Sequence, residues 1–589
     1  MFQNILFLKG MIFVEGYKGY EKYLDGFDYR REKTIQKCLE RELEKDTYGD
    51  TSMFNLYMGV KLEETNKYLE SLGEWYEHRK ARSPRNPQLE IDFGAMRLIR
   101  ILHYCDKNLT DAARESIKRF FNKYNFESDY KSENHMLMFR LSRLLYAELY
   151  PDEYLEYYQG YAKDFWEEDD KFLTDYFKFR AKRGWAEFDS FGYMGAIFEC
   201  LLTIRDCTKD KNLAKLSEES MNVMFLDIIG DNMDGIYGGA HGRLYEWQVL
   251  THENAGVMMV FKYYFGNHRM EGYGDLSFHV MSDYMPAPWV YEALDTMPAT
   301  RENFESKHLH CISSTLPHKQ VPQVDGSINK YTYVTPDYVI GAVNWQDDYP
   351  EDSDAKWYAH HEQHEWDLTL PCAPDCRIFS HHPGLCGDEG KEHGRWTGDL
   401  KCCCGQFFCD KNIVIATYNI PDAEEHLINA KVPHKYFEEI FDGNYIFMNR
   451  GGHTFVSLYF SEGYRRGTDP AYIDFEMESV GQKHAVVCEV ATNKDFADFD
   501  AFIANIKANP VKFDKDTMTV EYKHISMNRN ERFINGDKVK FPYNTYHNDV
   551  VLEEFASGVI NINGRVVVDF NKFDRSCTGS IINVGVPNK

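Results

Sequence analysis

The chain has no run of about 18 or more apolar residues, so nothing in its 589 residues reads as a membrane span. Its opening, Met1 to Tyr20, is briefly apolar, yet no basic segment precedes that run and it carries Lys9 and Glu15. A secretory signal is therefore not expected, and a cytoplasmic location is. An excess of basic charge is also missing: 67 Lys and Arg face 93 Asp and Glu, a formal net charge of −26. That argues against a nucleic-acid surface but leaves room for a local basic cleft that takes an anionic substrate. GxxxxGK[ST], GxGxxG after a strand, HExxH and GxSxG are all absent, which leaves nucleotide-dependent chemistry and serine hydrolysis without support. The 14 cysteines do not form the even framework of a small secreted scaffold: seven fall between Cys372 and Cys409 and the rest are scattered. A mostly reduced protein is expected.

What is plentiful is apolar and aromatic material, 43% and 15% of the chain, with 40 tyrosines and 40 phenylalanines. That suits large cores, and it equally suits rings that stack on sugar faces. From about residue 30 to 300 the stretches Phe93–Cys105, His135–Tyr150, Tyr193–Cys207 and Asn212–Ile229 carry apolar residues at i, i+3, i+4 and i+7, which predicts helix after helix. After about residue 305 the pattern changes to short β-branched and aromatic runs divided by Gly, Asn and Asp turns. Lys330–Trp345, Asn412–Ile420, Asn444–Phe460, His484–Val490 and Gly558–Phe570 are such runs, with NRGGHT as a hairpin turn and one helix within Asn493–Asn509. The expectation is an α+β multidomain chain. An (α/α) incomplete toroid over 1–305 is followed by an antiparallel β-sheet domain over 306–490 and a small C-terminal β region with one helix over 491–589. The cleft between the halves is the default site.

Several short stretches carry chemistry. In SENH, Ser132 reads as an N-cap with the helix starting at Glu133, and Asn134 and His135 then sit in a first turn whose free N–H groups favour an anion. RAKRGWAEFDSFGY places Arg183, Trp185, Glu187 and Tyr193 just ahead of a strongly apolar helix. DGIYGGAHGRLYEW surrounds Tyr237, His241, Arg243 and Tyr245 with Gly238, Gly239 and Gly242, which permit close backbone approach. In the second half three histidine-bearing segments, WYAHHEQHEWDL with His360 and His364, IFSHHPG with His382, and EHGRWTGD, have acids nearby; they offer a donor set for zinc, with His360 and His382 the candidate ligands, although the spacing fits no standard finger. CAPDC and KCCCGQFFC offer metal ligands, disulfides or plain buried thiols.

Helical half then β half, Asn-His opening a helix, and a Gly/His/Arg/Tyr loop: with the words YTYVTPDYVIGAV, EQHEW, FSHHPG and RWTGD, the chain resembles the polysaccharide lyases of the heparinase II/III and alginate-lyase type. The resemblance implies β-elimination at a uronic acid with no cofactor, any divalent metal such as zinc being structural or merely close to the site. It implies that Asn134 and His135 neutralise the carboxylate. Tyr193, with Arg183 before it, serves as base or acid, and His241 and Tyr245 compete for that role. Arg243, Trp185, Glu187, Tyr237, His364, Trp366 and Trp396 would then line the sugar. The implied partner is an anionic uronate glycan, with a homo-oligomer compatible. Two other classes stay open: an (α/α)-toroid hydrolase using carboxylates among Glu187, Asp189, Asp234 and Glu246, and a non-catalytic glycan binder.

Overall fold

The computed structural model describes residues 19, 21–46, 49–71, 91–126, 133–266, 272–307, 328–345, 363–383, 394–397 and 404–573. Ser132 and His360 lie outside these residues. The first half is helical: α1 (Phe27–Leu39), α2 (Asp50–Met58), α3 (Ile91–Tyr104), α4 (Glu133–Leu149), α5 (Trp166–Arg183), α6 (Tyr193–Cys207), α7 (Lys211–Asp231), α8 (Gly256–Phe265) and α9 (Ser277–Met281) are its principal helices. Local chemistry sets their ends. The Asp210 carboxylate accepts from the N–H groups of Asn212 and Leu213 and caps α7, and Gly266 at φ +85° closes α8 in the left-handed conformation. Contacts run α1–α2–α3–α4–α6–α9 and back to α1, a closed circuit, while α5 and α7 lie against α4 and α6 as a second layer. The apolar faces read from the sequence are what this ring buries: Leu137, Leu141, Leu144 and Leu145 of α4 are all inaccessible. No described helix is long and apolar enough to cross a membrane.

The second half is antiparallel sheet. β1 (Arg301–Lys307), β2 (Ile328–Val334), β3 (Val339–Trp345), β4 (Trp366–Thr369) and β5 (Arg377–His381) run side by side in one large sheet. β6 (Gly405–Asp410), β7 (Ile413–Asn419), β8 (Tyr445–Arg450), β9 (Thr454–Phe460) and β10 (Lys483–Thr492) belong to a six-stranded sheet that packs against β3. NRGGHT is the β8–β9 hairpin: Gly451 and Gly452 have φ of 57° and 69°, and the Asn449 side chain accepts from the Gly452 N–H at 2.9 Å. The helix expected near the C-terminus is Phe499–Ala508. A five-stranded sheet over Lys512–Lys538 follows and covers the six-stranded sheet through Val520, Tyr522, Ile525 and Met527. The chain then returns: Tyr546 pairs with Glu305 and His547 with Phe304, so the strands from Tyr546 to Asp569 extend the large sheet beside β1. One sheet thus crosses both boundaries drawn from the sequence at 305 and 490.

The halves meet where the glycine loop lies on β2 and β3. A Cβ on Gly238 would sit 2.8 Å from Val339, and one on Gly239, at φ +87°, would sit 2.9 Å from the Thr332 hydroxyl. Only glycine lets this loop approach so closely.

Candidate active site

Helix α4 begins at Glu133, so Asn134 and His135 occupy its first turn and both are buried. Nδ1 of His135 is held by the Asp92 carboxylate from α3, and the Phe93 ring meets the imidazole edge-on. This fixes the ring with its Nε2 side away from Asp92. Glu133 ties the turn to its neighbours: one carboxylate oxygen accepts from Tyr176 at 2.7 Å and pairs with Arg180 at 2.5 Å, and the other accepts from the Glu187 N–H at 2.9 Å. The loop carrying Glu187 is thereby pinned against the start of α4.

Glu187 connects this turn to the glycine loop. Its Oε1 accepts from Arg243 at 2.8 Å, while Oε2 is buried without a hydrogen-bond partner. Burial pushes its carboxyl up to about 7, against the pull of Arg243, with His135 close enough to act on it as well. The Arg243 guanidinium lies 4.3 Å above the Tyr193 ring and donates to the Tyr245 hydroxyl at 3.4 Å. The hydroxyls of Tyr193 and Tyr245 are hydrogen-bonded to each other. Two further contacts set Arg243, whose φ is +36°: its N–H donates to Gln363 at 3.2 Å, and its carbonyl accepts from Ser190 at 2.8 Å. Ser190 also receives the Tyr193 N–H at 3.2 Å, which starts α6 beside the loop. Two phenols, a guanidinium and a protonatable carboxyl are thus gathered near the Asn134–His135 turn, all from segments singled out in the sequence.

Other residues expected at the site are placed differently. The guanidinium beside Tyr193 is that of Arg243; Arg183 covers the Phe179 ring and lies near Glu553. His241 is fully buried beneath the loop, its Nδ1 at 2.9 Å from the Asp189 carbonyl. Burial and the nearby Arg377 push it well below the usual imidazole range, so it is neutral. His364, from the β half, stacks 6.2 Å from His241 and is held by Asp367 and Arg377, each at 3.0 Å; burial takes it down to about 4. Tyr237 donates to Asp189 at 2.6 Å and is buried. Trp185, Trp366 and Trp396 are 4%, 1% and 0% exposed, so no sugar reaches their rings: Trp185 meets Tyr176, Trp366 donates to Ser380, and Trp396 packs among Phe379, His381 and Phe475. The apolar cores of the two halves claim them. The exposed tryptophan of this region is Trp247, two residues beyond Tyr245, at 56%. Of the two zinc candidates, His360 lies outside the described residues. His382 sits 3.1 Å from the Glu425 carbonyl, and no trio of donors surrounds it among the described residues. Of the carboxylates considered for hydrolysis, Glu246 is occupied by the Trp396 N–H and the Tyr472 hydroxyl. Asp234 lines a separate cavity of about 970 Å³ beside Arg301 and Met233.

Behind the glycine loop lies a charge cluster that the sequence did not mark. Asp189, Asp227, Asp231 and Glu305 surround Lys307 and Lys330, all buried. Two lysines hold Asp189 far below the usual carboxylate range, whereas burial pushes Asp227 up to about 7 and Asp231 up to about 6. Asp189, Asp227 and Glu305 are the one carboxylate trio among the described residues close enough to share an ion, but the lysine ammonium groups already occupy that space. The members are scattered over more than a hundred residues, so no local pattern announces them.

No protein-family profile matches the chain, and no curated protein matches it in sequence. Among solved structures it is similar to a crystal structure of heparinase III, with a TM-score of 0.39 and 10% identity over 87% of this chain and 84% of that chain. A likeness at that level decides neither family nor chemistry.

Proposed function

We propose that the chain is a lyase that cleaves a uronic-acid-containing poly- or oligosaccharide by β-elimination. The observation that carries this reading is the hydrogen-bonded Tyr193–Tyr245 pair beneath the Arg243 guanidinium, within reach of the Asn134–His135 turn through Glu187. In the proposed reaction the Asn134 amide and His135 bind the C6 carboxylate at the α4 N-terminus and draw charge into it, which makes the C5 proton removable. Asp92 orients His135. One phenolate of the tyrosine pair, stabilised by Arg243, takes the C5 proton, the C4–O4 bond breaks, and the departing O4 receives a proton from the pair. The product carries a C4=C5 double bond conjugated to the carboxylate, and no water is consumed. Tyr193, at the start of α6 and directly under the guanidinium, is the first choice for the base. No cofactor enters these steps, and a divalent ion would have a structural role only.

Incubation with a panel of uronate glycans, read by the ultraviolet absorbance of the conjugated product, tests the proposal. No rise on any of them, alongside sugar release in a hydrolase assay, overturns it. One feature favours a second reading, glycoside hydrolysis: Glu187 holds its proton near neutrality, as a general acid must. Under that reading Glu187→Gln abolishes activity and Tyr193→Phe is tolerated; under the lyase reading Tyr193→Phe is the damaging change.

A further inference from the structure

The CAPDC stretch plays no part in the proposed elimination. It forms the turn from β4 to β5: the Leu370 N–H donates to the Cys376 carbonyl at 3.0 Å and the Cys376 N–H to the Ala373 carbonyl at 3.1 Å. This folding sets the two thiols beside each other, close enough for Cys376, and Arg450 of β8, to act on Cys372. Neither cysteine is in a disulfide; Cys376 is buried and Cys372 is partly exposed. Every other described cysteine is buried. Burial pushes Cys105 and Cys207 up to about 12, while the Cys376 thiol and Arg450 pull Cys372 well below the ordinary thiol value. Among the described residues one thiol is therefore both accessible and backed by a second thiol beside it, the arrangement that an internal disulfide needs.

We propose that Cys372 and Cys376 form an oxidisable dithiol that reacts with a hydroperoxide, Cys372 being the attacking thiolate and Cys376 the resolving thiol. The Cys372 sulfur attacks the terminal peroxide oxygen and the O–O bond breaks. The alkoxide or hydroxide leaves and takes up the proton that Cys372 lost, and Cys372 becomes a sulfenic acid. The Cys376 sulfur then attacks the Cys372 sulfur, an S–S bond forms, and the sulfenic oxygen departs as water with the Cys376 proton. Two thiols and one hydroperoxide give one disulfide, one alcohol or water, and one further water. The turn is well placed to transmit the change. The Pro374 carbonyl accepts the His252 N–H from the helical half at 3.0 Å, and Arg377, the next residue after Cys376, pairs with Asp367.

The test treats the reduced full-length chain with equimolar hydrogen peroxide, then maps the cysteines by mass spectrometry after alkylation. The expected main product lacks two hydrogens and links Cys372 to Cys376. In Cys376→Ser a sulfenic-acid trap labels Cys372, and Cys372→Ser gives neither product. In the untreated chain at neutral pH, Cys372 should alkylate about tenfold faster than an ordinary thiol, because more of it is thiolate. Oxidation spread evenly over the cysteines, or a Cys372 alkylation rate that rises only near the ordinary thiol value, overturns the proposal. Neither outcome depends on the lyase reading.

Discussion

Glu187 is the residue whose surroundings set the strongest single-site expectation. Its carboxyl is raised from the ordinary 4.5 to about 7, chiefly by burial. A raised acid binds more protons folded than unfolded, so its contribution to stability is present below its unfolded value and is lost as pH rises through about 7. Glu187→Gln should therefore gain thermal stability relative to the parent between pH 5 and pH 8, by on the order of 1–3 kcal/mol; melting curves across that range check it. The tyrosine pair makes a catalytic prediction. Tyr193→Phe should lower kcat on the active uronate glycan by about 10²- to 10⁴-fold with an unchanged melting temperature, since the phenol is half-buried and its ring is retained. Arg243→Lys should also impair turnover, because a compact ammonium cannot cover the Tyr193 ring, reach Tyr245 and bind Glu187 together.

At the scale of elements, the first turn of α4 and the glycine loop must keep register with each other. Glu133 joins α4 to α5 through Arg180 and Tyr176, and to the Glu187 backbone, so one carboxylate holds three segments. Glu133→Gln removes the carboxylate charge that pairs with the Arg180 guanidinium, which is 1% exposed. The expected cost is about 3–5 kcal/mol in unfolding free energy, read by denaturant titration. The glycine loop is constrained sterically. A Cβ on Gly242 would lie 2.9 Å from both the backbone N and O of Phe188, a contact that must shift the chain. Gly242→Ala should move Arg243 and Tyr245 off their partners and reduce kcat by about 10²-fold, the usual consequence of a displacement near 1 Å, with secondary structure by circular dichroism retained.

Across the whole molecule, the acid–lysine cluster joins the helical half to the large sheet: Asp189, Asp227 and Asp231 come from one, Glu305, Lys307 and Lys330 from the other. Lys330→Met removes the charge facing Asp189, Asp231 and Glu305. Repulsion and desolvation then favour protonated acids, so the variant should lose about 3–5 kcal/mol at pH 8 and recover part of it at pH 5.5; calorimetric melting at the two values decides it. Opposite shifts within one cluster also bound the parent's pH range. Asp227 and Asp231, raised, add stability that is lost as pH climbs through about 6 to 7, whereas Asp189, lowered, adds stability that is lost on acidification below the ordinary carboxylate value.

The order of helices and strands was legible because amphipathic period is a property of each segment alone: α3, α4, α6 and α7 cover the apolar repeats, and NRGGHT turns where its glycines and asparagine allow. The place of Asn134 and His135 in a first turn, and the need for glycine at 238, 239 and 242, were legible for the same local reason. Partner choice was not. A tryptophan beside polar residues looks the same in sequence whether it faces a cleft or a core, and only packing buries Trp185, Trp366 and Trp396 while leaving Trp247 exposed. Arg183 and Arg243 are equivalent cations in sequence, and the fold alone sets one over Phe179 and the other over Tyr193. The return of the strands after Tyr546 to the edge of β1, and the meeting of four acids with two lysines, are pairings between distant segments. Sequence determined which faces must be buried; tertiary structure decided against what, because burial free energy depends on the face and not on the identity of its distant partner.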